Sequence, residues 1–170
     1  VAVNIFKLLG LKGIKVKINS LGDTESRDNY RKALVEYFEP HISELCPDCN
    51  ERLKKNPLRI LDCKFDAENE IIKNAPVMLD YLNEESKNRF EDVQNYLGVL
   101  DIDYEVDPKI VRGLDYYTKT VFEFISKRDG YAVLAGGRYD GLVKELEGQD
   151  TPAIGFAAGE ERLISLISDD

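Results

Sequence analysis

Along the first forty residues the spacing of apolar positions changes period. Val3, Phe6, Leu8 and Leu9 recur at helical spacing and stop at Gly10, which predicts a short amphipathic helix. Lys15-Val16-Lys17-Ile18-Asn19 alternates polar and apolar, the pattern of a half-buried strand. Asn19-Ser20-Leu21-Gly22-Asp23 is loop chemistry, with Asp23 or Thr24 placed to cap the next helix and Glu25 near its positive end. That helix carries Tyr30, Leu34, Tyr37 and Phe38 on one side, and Pro40 stops it. From 41 to 98 the alternation disappears. Short helical patterns are broken by Pro47, Pro57 and Pro76, and Leu58-Arg59-Ile60-Leu61 is the longest strand-like run. One helix, Glu84 to Leu97, aligns Phe90, Val93 and Leu97 and is expected to end at Gly98. The period then returns to two. Ile102, Tyr104 and Val106 alternate with acids, and Pro108 resets the chain. Tyr116 to Ile125 is the longest strand candidate. Lys127-Arg128-Asp129-Gly130 turns it into an antiparallel return, Tyr131 to Ala135. Gly136 to Gly141 reads as a glycine-rich bend, and Leu142 to Glu147 as a short helix ended by Gly148. Pro152 to Gly159 reads as a strand of small residues entering a helix near Glu160. A helical block between strand-rich segments suggests an insertion into a mixed α and β domain.

Composition narrows the function classes. The 170 residues carry 23 cations against 32 anions, a net charge of -9, so any nucleic-acid contact must come from a local patch. No apolar run is long enough to span a bilayer, so no membrane partner is expected. The opening Val1-Ala2-Val3-Asn4 lacks a basic start and a small-residue cleavage site, which argues against a signal peptide. Both ends look like interrupted helices, so the chain is expected to be a piece of a longer one. Three cysteines in an acidic chain point to a reducing cytoplasm.

Three segments could carry chemistry. Val111 to Phe124 opens with Arg112-Gly113 and packs a cation, a carboxylate and two phenols, Tyr116 and Tyr117, into six residues. An ordinary edge strand with a salt bridge would read the same way. Gly136 to Gly141 is the second segment. The third is the passage from Gly155 through Gly159 to Arg162, where glycines leave room for a flat ligand. Arg162 sits in the first turn of a helix, where the dipole disfavours a cation. That placement suits an anion such as phosphate, although an arginine reaching solvent would fit too.

Taken together, these motifs resemble one family. Arg112-Gly113-Leu114-Asp115-Tyr116-Tyr117 followed by Gly136-Gly137-Arg138-Tyr139-Asp140-Gly141 is similar to the paired histidine-specific signatures of histidyl-tRNA synthetases. Pro152-Ala153-Ile154-Gly155-Phe156-Ala157-Ala158-Gly159-Glu160-Glu161-Arg162-Leu163 resembles the third signature of class II aminoacyl-tRNA synthetases. Ile18 to Gly22 and Asn56 to Lys64 resemble bacterial members as well. The resemblance implies an α+β fold: a class II antiparallel sheet flanked by helices, with a mostly helical insertion. It implies formation of histidyl-adenylate from L-histidine and ATP, with Mg2+ accompanying the nucleotide, then transfer of histidine to tRNA(His). Arg112 matches the catalytic arginine that contacts the α-phosphate and the histidine carboxylate. A fixed cation there would offset the charge built as carboxylate attacks phosphorus. Tyr116, Tyr117, Gly137 and Tyr139 match histidine-pocket positions. Arg162 matches the arginine on the γ-phosphate, with Gly159 beside it. Asp115 is expected to orient backbone or Arg112.

The departures define what kind of piece this is. The first class II signature, at the dimer interface, is missing. So is the second, which binds ATP and the histidine amino group. No anticodon-binding domain is expected among these residues. The expected organisation is a catalytic part at 1–40, a helical insertion at 41–98 and a catalytic part with the signatures at 99–170. The piece alone is expected to be inactive and its parent to be a homodimer. Within the insertion, His41, Cys46, Cys49 and Cys63 could supply zinc ligands. Cys46-Pro47-Asp48-Cys49 has knuckle spacing but no second cysteine pair, so no tightly bound metal is expected. Arg52, Lys54, Lys55, Arg59 and Lys64 concentrate positive charge and could steer a tRNA acceptor end, or form a plain solvated face. Two other readings are a histidine-binding regulatory paralogue of ATP phosphoribosyltransferase and a non-enzymatic helical adaptor. The intact Arg-Gly-Leu-Asp-Tyr-Tyr run and the insertion speak against the first.

Overall fold

A computed structural model describes residues 1–111 and 116–167. Seven helices and five strands are placed among them. In chain order these are α1 (Ala2–Leu8), β1 (Ile14–Ser20), α2 (Thr24–Phe38), α3 (Pro47–Lys55), α4 (Glu70–Lys73), α5 (Glu84–Val99), β2 (Tyr104–Val106), β3 (Thr118–Ser126), β4 (Ala132–Arg138), α6 (Leu142–Glu145), β5 (Ile154–Ala158) and α7 (Glu160–Ile167). Short 3-10 segments at Glu39–Glu44, Pro57–Ile60 and Met78–Tyr81 punctuate the helical block.

The strands form one sheet in the order β2-β1-β3-β4-β5. All neighbours are antiparallel except β1 and β2, which run parallel with Val16 opposite Tyr104. β1 pairs with β3 along its whole length, Ile14 opposite Ser126 to Ser20 opposite Thr120. The sheet therefore joins chain segments a hundred residues apart, across the helical block. One face packs on helices: Val16, Ile18, Phe124 and Leu134 are buried with Ala2, Phe6 and Phe90, and Leu163 and Leu166 of α7 lie against them. The edge strand β5 leaves Ile154 and Phe156 exposed.

A second cluster has its own identity. Tyr30, Leu34 and Phe38 of α2 are 1%, 0% and 0% exposed, so the predicted stripe is the core face. They pack with Leu45, Cys49, Ile60, Cys63, Ile72 and Met78. The predicted Asp23 cap is present, its side chain accepting from the Ser26 N–H at 2.9 Å.

Three local expectations need correction. Gly136 and Gly137 are strand residues of β4, not a bend, because β3 and β5 both hold them extended. Gly98 lies inside α5, and the chain reverses instead at Asp101 with φ +52°. Leu58 to Leu61 is not a strand: Pro57–Ile60 is a 3-10 turn with Leu61 as its C-cap, started by the Asn56 side chain accepting from the Leu58 N–H.

Candidate active site

The antiparallel pairing of β3 and β4 places Thr118 opposite Arg138. Tyr116 and Tyr117, just before β3, therefore meet Tyr139, just after β4. The three rings form one cluster, with centroids 4.7 Å apart for Tyr116–Tyr117, 5.6 Å for Tyr116–Tyr139 and 6.2 Å for Tyr117–Tyr139. Tyr117 is buried with Leu21, Ile110 and Val121, and the other two are half-buried at the rim. Two glycines admit the rings. A β-carbon on Gly137 would stand 2.8 Å from the Tyr117 ring and 2.9 Å from the Thr120 carbonyl oxygen. One on Gly155 would stand 2.5 Å from the Tyr139 hydroxyl. The room beside Gly155 is thus taken by a phenol.

Electrostatic ties fix this corner. Arg138 pairs with Asp140, Nε to Oδ1 at 2.7 Å, and Lys119 reaches the same carboxylate at 3.6 Å. The Asp140 N–H donates to the Thr118 hydroxyl at 3.1 Å, and Arg27 Nη1 donates to the Tyr117 carbonyl at 3.1 Å. Lys119 itself sits at φ +54° in a bulge of β3, where its N–H and carbonyl bond Gly22 and Leu21.

The strand β1 holds the approach to this corner, a role absent from the sequence reading. Asn19 is fully buried, and its amide donates to the carbonyls of Pro108 and Ile110 at 3.2 and 3.0 Å. Lys17 bonds Asp107 at 2.6 Å, which raises the lysine pKa above its ordinary value despite partial burial. Arg112, Gly113, Leu114 and Asp115 lie outside the described residues, so the catalytic arginine expected at 112 is not located.

Cross-strand pairs run Lys17–Glu123–Ala135–Ala157 and Asn19–Val121–Gly137–Gly155. Alternation puts these rows on one face. The β4–β5 part of that face is a floor of alanine and glycine, and Glu123 stands beside it. Arg162 is at the far end: its guanidinium donates to the Ala132 carbonyl and lies 5.5 Å from the Tyr131 ring centre. The rise of ~3.3 Å per residue over β4 separates it from the tyrosines by about 20 Å. The structure thus gathers Tyr116, Tyr117, Gly137 and Tyr139, and puts Arg162 and Gly159 at the other end of the same strand. A β-carbon on Gly159 would meet nothing closer than Arg162 at 3.5 Å.

The basic residues divide. Arg52, Lys55 and Arg59 share a cleft of about 250 Å³ with Asp48, Glu51 and Asn56, whereas Lys54 and Lys64 do not line it. Arg52 is committed to the Arg59 carbonyl at 2.8 Å, and Lys55 pairs with Glu51 at 3.6 Å. The cleft is therefore mixed in sign.

The cysteines assemble differently from the expected set. His41 turns away to Glu44 at 3.2 Å and packs on Tyr37, ring centres 5.8 Å apart. Its place is taken by Asp66. The ligand atoms of Cys46, Cys49, Cys63 and Asp66 all lie within 4.8 Å of one another. The Cys46 N–H holds the Asp66 carboxyl below its usual range, against the opposing effect of burial. That carboxylate pushes the Cys46 thiol up, and burial pushes Cys49 up.

Comparison with known proteins places this geometry. A family model described as Histidyl-tRNA synthetase matches residues 5–163. The curated Histidine--tRNA ligase of Oceanobacillus iheyensis is 55% identical over 98% of this chain and 40% of its own length. That of Bacillus subtilis is 53% identical with the same coverage. The crystal structure of apo S. aureus histidyl-tRNA synthetase superposes with a TM-score of 0.76 at 44% identity, covering 98% of this chain and 41% of that one. An ATP phosphoribosyltransferase regulatory subunit/histidyl-tRNA synthetase from Bacillus halodurans C shares the fold, at 21% identity and a TM-score of 0.60. The chain spans about two-fifths of the length of the curated relatives it matches. Among the described residues no helix is long and apolar enough to cross a membrane.

Proposed function

This chain belongs to the histidyl-tRNA synthetase family, and from that premise we propose that it is the part of such an enzyme that builds the histidine pocket. The parent protein ligates L-histidine to tRNA(His) through histidyl-adenylate, works as a homodimer in the cytoplasm, and takes ATP with its magnesium as substrate. Residues 1–40 and 99–170 belong to its catalytic domain and 41–98 to a helical insertion. The supporting observation for that division is a sheet assembled from both flanking segments, β1 and β2 through β5, while 45–78 packs in a separate cluster with α2.

The observation that carries the pocket is the meeting of Tyr116, Tyr117 and Tyr139 over Gly137 and Gly155. Phenols there can bond imidazole nitrogens and wall the ring. The alanine and glycine floor lets a flat substrate lie on backbone between this corner and Arg162, whose guanidinium can bind the nucleotide phosphates. Arg112, four residues before Tyr116 in the sequence, is assigned as the cation that offsets charge built at the α-phosphorus. Arg52, Lys55 and Arg59, with Lys54 and Lys64 nearby in sequence, meet the tRNA backbone. The regulatory paralogue and the helical adaptor are weaker readings: relatives above 50% identity bear the name Histidine--tRNA ligase, and an adaptor gives no reason for phenols seated on glycines.

The test is histidine-dependent ATP–pyrophosphate exchange by the full-length parent. Tyr117→Phe and Tyr139→Phe should raise the KM for histidine about tenfold, the worth of one hydrogen bond, with the KM for ATP little changed. An unchanged histidine KM in both variants would remove the pocket assignment. Residues 1–170 alone should show no exchange.

A further inference from the structure

Four side chains from two sequence-distant turns converge at the base of α3. Cys46 is the residue before the helix and Cys49 lies in its first turn. Cys63 and Asp66 follow the 3-10 turn at Pro57–Ile60. Each pair has two residues between its members, Cys46-Pro47-Asp48-Cys49 and Cys63-Lys64-Phe65-Asp66. The second pair that a zinc knuckle needs is therefore present, with a carboxylate in place of its last thiol.

The distances carry the argument. Cys46 Sγ and Cys63 Sγ are 3.6 Å apart, and Asp66 Oδ2 is 3.4 Å from Cys49 Sγ and 3.6 Å from Cys63 Sγ. A tetrahedral zinc with sulfur at ~2.3 Å and oxygen at ~2.0 Å requires sulfur–sulfur edges of about 3.8 Å and sulfur–oxygen edges of about 3.5 Å. Cys49 and Cys63 are buried and Cys46 and Asp66 half-buried, so the cluster is shielded from bulk water yet reachable by an ion. Its surroundings, Phe38, Leu45 and Ile60, supply an apolar wall.

We propose that Cys46, Cys49, Cys63 and Asp66 form a structural zinc site that staples the start of α3 to the 63–66 turn. Four protein ligands close the coordination sphere, so the ion has no open position for catalysis. Its role is to hold the helical block on α2, where three short 3-10 turns and a four-residue helix leave little regular structure to do so. The cysteine cluster lies in the helical block, apart from the tyrosine corner at the sheet.

The full-length parent, purified without chelator from zinc-supplemented cells, tests this by metal analysis. The expected result is about one zinc per chain, at least tenfold lower in Cys63→Ser and unchanged in His41→Ala. Cobalt reconstitution of the wild-type protein should give the absorption of tetrahedral thiolate-bound cobalt, a readout that survives if the cysteine variant fails to fold. Chelator should lower the Tm of the wild-type protein. Absence of zinc, with three thiols that titrate freely, would overturn the site. A disulfide between Cys46 and Cys63 in protein handled under reducing conditions would overturn it as well.

Discussion

The Tyr139 hydroxyl stands 2.5 Å from the point where a β-carbon on Gly155 would be. One strand gives up its side chain so that a phenol from the end of its neighbour can lie on its backbone. Gly155→Ala should therefore destabilise by about 1–3 kcal/mol, the usual result of overpacking. The cost should shrink in a Tyr139→Phe background, where the nearest ring atom, Cζ, is 3.3 Å away and a small shift suffices. Urea unfolding of the two single variants and the double variant measures this coupling. Equal costs in both backgrounds would mean that the contact is not the cause.

Gly137 and Gly159 should behave oppositely when changed to alanine. At Gly137 the new carbon meets the Tyr117 ring, the Thr120 carbonyl and Val121 at 2.8–2.9 Å, and the carbonyl cannot rotate away. Loss of stability and of histidine binding together is expected. At Gly159 the nearest contact is 3.5 Å, so stability should change by less than about 0.5 kcal/mol. A raised KM for ATP in Gly159→Ala with unchanged thermal stability would support a nucleotide lying over that backbone. An unchanged KM would leave Gly159 without a binding role.

Lys119 holds a left-handed conformation inside β3, with its backbone bonded to Leu21 and Gly22. A β-branched residue there pays a steric cost that asparagine largely avoids. Lys119→Val should destabilise by about 1–2 kcal/mol more than Lys119→Asn. Both variants lose the contacts to Asp140 and Glu85, so the difference isolates the backbone. Differential scanning calorimetry would show a lower Tm for the valine variant, and equal values would sink the argument.

What could be read from the chain depended on how local its cause was. The α2 stripe, the Asp23 cap and the β3–β4 hairpin follow from neighbours within a few residues, and all are present. Gly136 and Gly137 carry the local signature of a turn, while the pairing that extends them comes from β3 and from β5 eighteen residues later. The parallel pairing of Val16 with Tyr104 spans 88 residues and leaves no local trace. Asn19 looked like loop chemistry because its burial is caused by Pro108 and Ile110. Asp66 repeats from Cys63 the spacing of Cys49 from Cys46, but an aspartate in the place of a fourth thiol has no signature of its own, and only the fold brings the two pairs together.

The two helix starts at Asp23 and Asn83 are clasped together, and this clasp should be sensitive to acid. Asn83 Nδ2 donates to Asp23 Oδ2 at 2.6 Å, the Asn83 N–H donates to the Ser26 hydroxyl at 3.0 Å, and Asn83 caps α5 through the Ser86 N–H at 2.9 Å. Burial alone would raise the Asp23 pKa, but the Ser26 and Asn83 donors outweigh it and hold the carboxyl below its ordinary value. A carboxyl that is more acidic in the folded state contributes fully above its unfolded value of about 3.9 and loses that contribution as pH falls through the folded one. Asp23→Ala should thus cost about 1–2 kcal/mol at neutral pH, through lost capping and the lost clasp. The gap between wild type and variant should narrow as pH falls below about 4. Asp23→Asn keeps a cap oxygen without a titrating charge, so its stability should lack this acid-dependent component. Chemical denaturation at stepped pH provides the comparison. A gap between wild type and Asp23→Ala that stays constant down to pH about 2.5 would show that the carboxylate charge contributes nothing to joining α2 and α5.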